Sequence, residues 1–144
     1  MLVDQATSSA AEWLAETVAD PERVLAWWHD DAEHIATLPA GIKFDAIRIP
    51  LERAERVMGA LAEARAPHCP LYLDRINGHA YVLVAPGTAA TWNVPGTYAL
   101  GTATWLWVPD PASVGGDGIS WVWPPDGSGQ LCPAEQLAQA LVAA

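Results

Sequence analysis

The sequence predicts an α+β domain in which a mostly antiparallel sheet is covered by helices, and three observations support this class. Apolar residues recur at helical spacing in the first half of the chain, as at Leu51, Val57 and Leu61. The second half changes to short runs of strand type, and Asn77-Gly78 is a strong signal for a tight turn between two strands. The length of 144 residues suits one domain that can bury a core, so we expect a single domain over 1–144.

The helices are predicted mainly from their start signals. Ser9 and Glu12 have the spacing of a capping box, and Asp20 followed by Pro21 places a capping residue before a proline in the first turn. The predicted helices span about 9–18, 20–30, 50–65 and 133–142.

The strands are predicted from apolar runs bounded by turn residues. They span about 43–49, 71–73, 79–85, 102–108 and 118–123. Turns and loops are expected at 39–41, 77–78, 109–118 and 124–129. The resulting order is two helices, a strand, a helix, four short strands and a last helix, with no repeat or interdomain linker.

The charge distribution bounds the partners. Seven basic residues face seventeen acidic ones, for a formal net charge of −10, and Arg75 is the last basic residue. Duplex nucleic acid is disfavoured as a partner, because phosphate neutralisation needs clustered Lys and Arg. A local basic patch is conceivable, but a solvated strand and helix face explains it more simply. Its members would be Lys43, Arg48, Arg53 and Arg56.

The chain carries no signal for a membrane or for export. No apolar run reaches the roughly 18 residues of a membrane span, and the N-terminus lacks a basic start followed by an apolar stretch. We therefore expect a cytoplasmic protein with no membrane partner. Cys69 and Cys132 are then expected to be reduced, partly buried thiols, since a chain of this size does not need a disulfide.

No complete metal or nucleophile site is visible. His29 and His34 lie among acidic residues, but a spacing of five does not put them on one helix face. His68 beside Cys69 is flanked by prolines, which favours a loop role. The glycine-containing loops 87–90 and 114–118 lack the Lys-Ser or Lys-Thr that follows a phosphate-binding loop. We predict no metal, no cofactor and no catalytic residue.

Eight tryptophans are unusual in a chain of this length. Trp105 and Trp107, and likewise Trp121 and Trp123, are two residues apart, so each pair shares one strand face. A core or interface stripe is the favoured interpretation, and a base-stacking platform is the alternative.

Several segments, in this order, resemble the N-terminal primase–polymerase domain of bifunctional replication proteins, a branch of the archaeo-eukaryotic primases. The stretch 20–28 resembles the family's "D-P-x-x-V-x-x-W" helix, and 34–41 its "N-I-G-x-x-x-G" segment. The stretch 77–82 resembles its "G-G-x-H-x-Y-F" strand, and Ser120-Trp121 its "Y-x-W" strand. The strand 44–50, the helix 51–65, the strand 102–109 and the closing helix also fit, so the resemblance covers about 9–142. The alanine-, valine- and tryptophan-rich usage suits a GC-rich bacterial genome.

The departures from the family carry the functional argument. The resemblance implies an Asp-x-Asp pair for two metals where this chain has Ile47-Arg48-Ile49, with Asp45 as the nearest acid but off register. It implies a third acid near Tyr98, but no acid occurs from 85 to 108. Only the histidine is kept, as His79, which in the family contacts the incoming nucleotide. Because Arg48 would repel a metal, we expect no primase or polymerase activity.

Three functions follow as hypotheses. The first is a non-catalytic primase–polymerase-like domain that binds a protein partner or a nucleotide-like, phosphate-bearing small molecule, with Arg48, His79, Lys43 and Asp45 as cleft candidates. The second is an acidic, tryptophan-rich interaction module that forms a homodimer or binds a partner. The third is an enzyme of another class that reuses the cleft, for which Asp45, Asp74 and His79 are the acid/base candidates.

Overall fold

A computed structural model describes residues 5–143, with side chains from residue 7 onward. Residues 1–4 and residue 144 of the predicted domain lie outside this range. Residues 1–4 belong to the N-terminal stretch that is predicted not to be a signal peptide. Within it the helices are α1 (Gln5–Ala15), α2 (Pro21–Asp30), α3 (Leu51–Glu63) and α4 (Ala134–Ala143). The strands are β1 (Ile35–Pro39), β2 (Asp45–Pro50), β3 (Leu71–Asp74), β4 (His79–Val84), β5 (Tyr98–Leu100), β6 (Trp105–Pro109) and β7 (Ile119–Trp123).

The strands form two antiparallel sheets, which confirms the predicted α+β class. The large sheet has the order β5-β2-β4-β3-β7, and β1 pairs with β6 in a separate two-stranded sheet. A short 3₁₀ helix, Thr88–Ala90, lies between β4 and β5. Among residues 5–143 no helix is long and apolar enough to cross a membrane.

Each face of the large sheet buries its own cluster of apolar side chains. One face, with Ile47 and Val82, packs against the buried side of α3 and α4. The other face, with Ala46 and Leu83, packs against α1, α2 and the two-stranded sheet. Because side chains alternate along a strand, neighbours such as Ala46 and Ile47 serve opposite cores. The small sheet and its helices cover only part of their face, and the uncovered part forms the site described below.

Helix α1 starts earlier than predicted, whereas α2, α3 and α4 start within one residue of their predicted bounds. Helix α1 already includes Gln5 and ends at Ala15, so Ser9 and Glu12 lie inside it and the predicted capping box is wrong. Pro21 does occupy the first turn of α2, but the Asp20 side chain makes no capping hydrogen bond. The side chains predicted to cap α1 and α2 therefore do not stabilise these helix starts, and the packing of the apolar helix faces does.

Two strands were missed and one was placed too early. Strand β1 ends in Pro39, which was assigned to a turn, and β5 has three residues after the Pro95-Gly96 turn. Strand β6 begins at Trp105, because Thr102 to Thr104 form the turn that precedes it. Short edge strands such as β1 and β5 are formed by pairing with a neighbour, so local sequence alone marks them weakly.

Cys69 and Cys132 form a disulfide, and the prediction of two reduced thiols is wrong. The two residues are 63 apart in sequence but meet beside β4. The backbone of Leu83 donates to Pro70 and accepts from Cys132, so one residue of β4 fixes both segments. Because disulfides are rare in reducing compartments, this bond weighs against the cytoplasmic location, which stays a prediction.

Candidate functional site

An open cleft lies between the uncovered part of the large sheet and strand β6, and we call it the Arg48 cleft. It consists of two depressions, of about 230 Å³ and 130 Å³, and Arg48 lines both. The larger is lined by Arg48, Asp74, Asn77, Tyr81, Leu100, Thr104, Trp105, Leu106 and Trp107. The smaller is lined by Arg48, Ile49, Pro50, Gly78, His79, Gly96 and Tyr98.

Arg48 owes its position to the alternation of β2. Asp45, Ile47 and Ile49 are buried on the side of β2 that faces α3 and α4. Arg48 points to the opposite side and is partly exposed. Strand β2 pairs on both edges, so Arg48 lies opposite Tyr81 on β4 and opposite Tyr98 on β5. The guanidinium therefore sits between two tyrosines that belong to neighbouring strands.

The hydrogen-bonding capacity of Arg48 is not used up within the protein. Its Nε atom is buried and has no hydrogen-bond partner among the described residues. The guanidinium carbon lies 4.7 Å from the ring centre of Tyr98, which is the distance of a cation–π contact. A buried donor without a partner costs roughly 1–3 kcal/mol, so an anion that accepted from this nitrogen would recover part of that cost.

Tyr81 of the cleft and Tyr72, which is buried against it, both have raised pKa values. Tyr72 is fully buried, its ring is stacked on Tyr81 at 4.9 Å between ring centres, and its hydroxyl has no partner among the described residues. Burial raises the pKa of Tyr72 well above 10.0, and the neighbouring Tyr81 and Asp74 raise it further. Burial also raises the pKa of Tyr81; the positive charge of Arg48 acts in the opposite direction. Both phenols are therefore held in the neutral form.

His79 is placed by the tight turn before it. The Asp74 carboxylate accepts from the backbone N–H groups of Ile76 and Asn77, at 3.0 and 2.9 Å, and from the Asn77 side chain at 2.8 Å. Gly78 adopts a φ of +76°, which favours glycine, and β4 then starts with His79 directly opposite Asp74. The Asn77-Gly78 signal in the sequence thus fixes where His79 enters the cleft.

The structure brings Arg48 and His79 together and leaves the other two candidates outside the cleft. Lys43 donates to Glu16 at 2.6 Å and lies over the ring of Trp13. Asp45 is buried, and its Oδ2 accepts from the backbone N–H groups that open the 3₁₀ helix after β4. Asp45 precedes Arg48 by three residues, which is an odd number. Because side chains alternate along a strand, this spacing predicts that the two residues lie on opposite faces of β2.

The positions of β2 that face the cleft are not the two that were matched to the family's acid pair. Positions 47 and 49, which were matched to the acid pair of the primase–polymerase family, carry buried isoleucines that face α3 and α4. The positions of β2 on the cleft side are Ala46, Arg48 and Pro50, and none of them is acidic. The departure from the family pattern therefore holds in either register.

Tyr81, Tyr98, Trp105 and Trp107 were not assigned to the site from sequence. The period of two correctly put Trp105 and Trp107 on one strand face, where they are 60% and 58% exposed. Trp121 belongs to the core instead, and its indole N–H donates to the Pro109 carbonyl at 2.8 Å. Tyr98 was missed because strand β5 was missed, so its approach to Arg48 had no signal in the sequence.

No potential metal centre is seen in the part of the chain that the structure describes. No three His, Cys, Asp or Glu side chains from residues 5–143 converge. His29 contacts Asp30, whereas His34 bonds to the Trp28 carbonyl, so the two histidines are engaged separately. The third hypothesis loses its set of groups as well, because Asp45 faces away from Asp74 and His79.

A larger depression, of about 480 Å³, lies elsewhere, between the start of β1 and the loop that precedes β7. We take the Arg48 cleft as the candidate site because it combines a fixed positive charge, a histidine and four aromatic side chains. The chain matches no protein-family model, no curated protein and no solved structure. The primase–polymerase resemblance accordingly stays a prediction.

Proposed function

We propose that this protein is a non-catalytic binding domain that takes a nucleotide-like ligand in the Arg48 cleft. The observation that carries the proposal is a guanidinium with an unpartnered buried nitrogen, set among aromatic side chains in a chain of net charge −10. Such a chain gains little from general attraction of anions, so a local cationic pocket points to a specific anionic group.

The cleft offers separate places for the two parts of a nucleotide. Arg48 and His79 line the smaller depression, where a phosphate can accept hydrogen bonds from both. Trp105, Trp107 and Tyr81 line the larger one, where a planar base can stack. Because Arg48 lines both depressions, a ligand of this kind would span them with its charge at the shared residue.

The resemblance to primase–polymerase domains supports this site through His79, the one member of the family's catalytic group that the chain keeps. His79 lines the smaller depression beside Arg48, whereas positions 47 and 49, which were matched to the family's acid pair, face α3 and α4. An arginine holds a phosphate directly, so binding should need no divalent metal. Polymerisation through two metals needs carboxylates that the cleft-facing positions of β2 lack.

Titration calorimetry with ribo- and deoxynucleoside triphosphates, with and without Mn²⁺, tests the proposal. We expect metal-independent binding that weakens at least about tenfold in Arg48→Ala, which is the loss of a charge-assisted contact. Arg56→Ala is the matched control, because Arg56 is an exposed arginine on α3 that does not line the cleft. Unchanged affinity for every nucleotide in Arg48→Ala would sink the proposal.

A primer-extension assay with Mg²⁺ or Mn²⁺ tests the non-catalytic part. We expect no extension at high protein concentration. Extension that disappears in His79→Ala would restore the enzyme hypothesis, and metal-dependent nucleotide binding would do the same.

A protein-interaction module is the second candidate function. It is favoured by the exposure of large apolar side chains, of which Trp27, Trp105 and Trp107 are between 44% and 60% exposed. A homodimer that forms through the face of β6 with Trp105 and Trp107 should dissociate in Trp105→Ala/Trp107→Ala. Light scattering across a concentration series measures it, and a strictly monomeric protein removes the homodimer version.

A further inference from the structure

The 480 Å³ depression, which we call the loop groove, has four large aliphatic residues in its lining beside polar ones such as Glu33 and Ser113. Its walls include Ile35 and Ile119 from the strands, Ile76 from the β3–β4 turn and Val114 from the loop before β7. Ile76 is 64% exposed and Val114 is 57% exposed. Two large aliphatic side chains thus stand in solvent on opposite elements that border one groove.

Hydrogen bonds hold the loop that borders the loop groove. The loop pairs with β7, because Trp121 donates to the Ser113 carbonyl and accepts from the N–H of Gly115. Arg75 donates to the Gly116 carbonyl at 2.6 Å, and the Ser120 hydroxyl donates to the same carbonyl at 3.1 Å. These bonds tie the loop to β7 and to the turn between β3 and β4.

One acidic residue lies in the lining of the groove, and three more lie directly beside lining residues. Glu33 lines it, and Asp31 accepts from the backbone N–H groups of Glu33 and Ile35, at 3.1 and 3.0 Å. Asp110 accepts from the N–H of Ala112 at 3.0 Å, and Asp117 lies between two glycines of the lining. Arg75 donates to the lining residue Gly116, so four acidic residues in or beside the lining are accompanied by one arginine.

We infer that the loop groove binds a segment of a partner protein that inserts one large apolar side chain and presents Lys or Arg to the acidic rim. Charge complementarity favours this occupant, because the acidic residues in and beside the lining repel an acidic segment, and they also repel a second copy of this chain, whose formal net charge is −10. The walls are themselves exposed, so a bound side chain would stay partly open to solvent. An open groove of this kind suits an anchor residue with flanking contacts better than an enclosed small molecule.

The test uses a short synthetic peptide with one central phenylalanine and lysines on both sides, labelled for fluorescence anisotropy. The full-length protein should bind it more weakly as salt is raised, because the rim contacts are exposed. Replacing the phenylalanine by serine, or the lysines by glutamate, should abolish binding. N-acetyl-phenylalanine amide should not compete at comparable concentration; if it competes as well as the peptide, the groove is a small-molecule pocket and the inference fails.

Variants of the protein locate the site. Ile76→Ser/Val114→Ser removes exposed side chains only, so the fold should persist while the dissociation constant rises at least about tenfold. Glu33→Gln/Asp117→Asn should weaken binding and flatten its salt dependence. The matched controls are Val142→Ser, since Val142 is 83% exposed on α4, and Glu135→Gln on the same helix; both should bind as the wild type.

Arg48→Ala keeps this inference distinct from the nucleotide site, since it should leave peptide binding unchanged. Absence of any peptide binding, or equal binding by the Ile76→Ser/Val114→Ser variant, overturns the inference and leaves the Arg48 cleft untouched.

Discussion

The guanidinium of Arg48 lies 4.7 Å above the ring of Tyr98, on an edge strand that pairs with β2 over three residues. Tyr98 is 62% exposed, so its ring is held over the arginine without belonging to the core. The ring thus lies against the guanidinium of a residue that lines both depressions of the cleft.

Tyr98→Ala should weaken nucleotide binding and leave the fold intact. A cation–π contact at an exposed site is worth about 0.5–1 kcal/mol, which corresponds to a roughly two- to fivefold rise in the dissociation constant. Tyr98→Phe keeps the ring and should bind as the wild type. Calorimetry gives the affinities and a thermal melt gives the stability; equal affinity in all three proteins would contradict the role of the ring.

Tyr72→Phe should stabilise the protein or leave it unchanged at neutral pH. The Tyr72 hydroxyl is buried and has no partner among the described residues, and burying an unpaired hydroxyl costs about 1–3 kcal/mol. Denaturant unfolding at neutral pH measures the change. A large loss of stability in Tyr72→Phe would show that the hydroxyl makes a contact that is not seen here.

The same variant should also change how steeply the free energy of unfolding falls as the pH rises in the alkaline range. The pKa of Tyr72 is raised in the folded state, so above pH 10 the unfolded chain loses its proton first. Stability is then fully present below the unfolded pKa and falls as pH rises toward the folded one. Tyr72→Phe should fall less steeply over this range, and an identical slope in both proteins would contradict the raised pKa.

Cys132→Ser should lower the free energy of unfolding. A closed loop of 63 residues stabilises the folded state by about 4 kcal/mol in the chain-entropy model. A reductant should reproduce the loss in the wild type and should have no effect on Cys69→Ser/Cys132→Ser. Wild-type protein whose unfolding is insensitive to a reductant, with two free thiols by titration, would restore the prediction of reduced cysteines.

Gly41 and Gly59 should respond to alanine in opposite directions. Gly41 has a φ of +91°, and an added Cβ would lie 2.7 Å from the Thr102 backbone, so Gly41→Ala should cost about 1–3 kcal/mol. Gly59 lies within α3 with open space around it, so Gly59→Ala should gain about 0.5–1 kcal/mol. Paired denaturant melts decide this, and a neutral Gly41→Ala would mean that the turn before β2 relaxes.

The fold class followed from the sequence because the strongest elements are locally encoded. The helix after Pro50, the hairpin at Asn77-Gly78 and the last helix carry period and turn signals within themselves. Strands β1 and β5 carry none, since β5 has three residues and owes its conformation to β2. The disulfide was missed for the same reason, because only the pairing around Leu83 brings its cysteines together.

The candidate site was predicted in part. Arg48 and His79 share a depression, whereas Lys43 pairs with Glu16 and Asp45 supports the turn after β4. Alternation along β2 was enough to separate Arg48 from Asp45. The grouping of the aromatic side chains was not predictable, because they come from segments that are distant in sequence. Tyr81 lies on β4, Tyr98 on β5, and Trp105 and Trp107 on β6.

The most direct test of the central claim is a metal-free calorimetric titration of wild type, Arg48→Ala and Arg56→Ala with a nucleoside triphosphate panel. The proposed site predicts binding in the wild type and in Arg56→Ala, with at least about a tenfold loss in Arg48→Ala. Binding that appears only with Mn²⁺, or that is equal in all three proteins, would contradict a ligand held by Arg48.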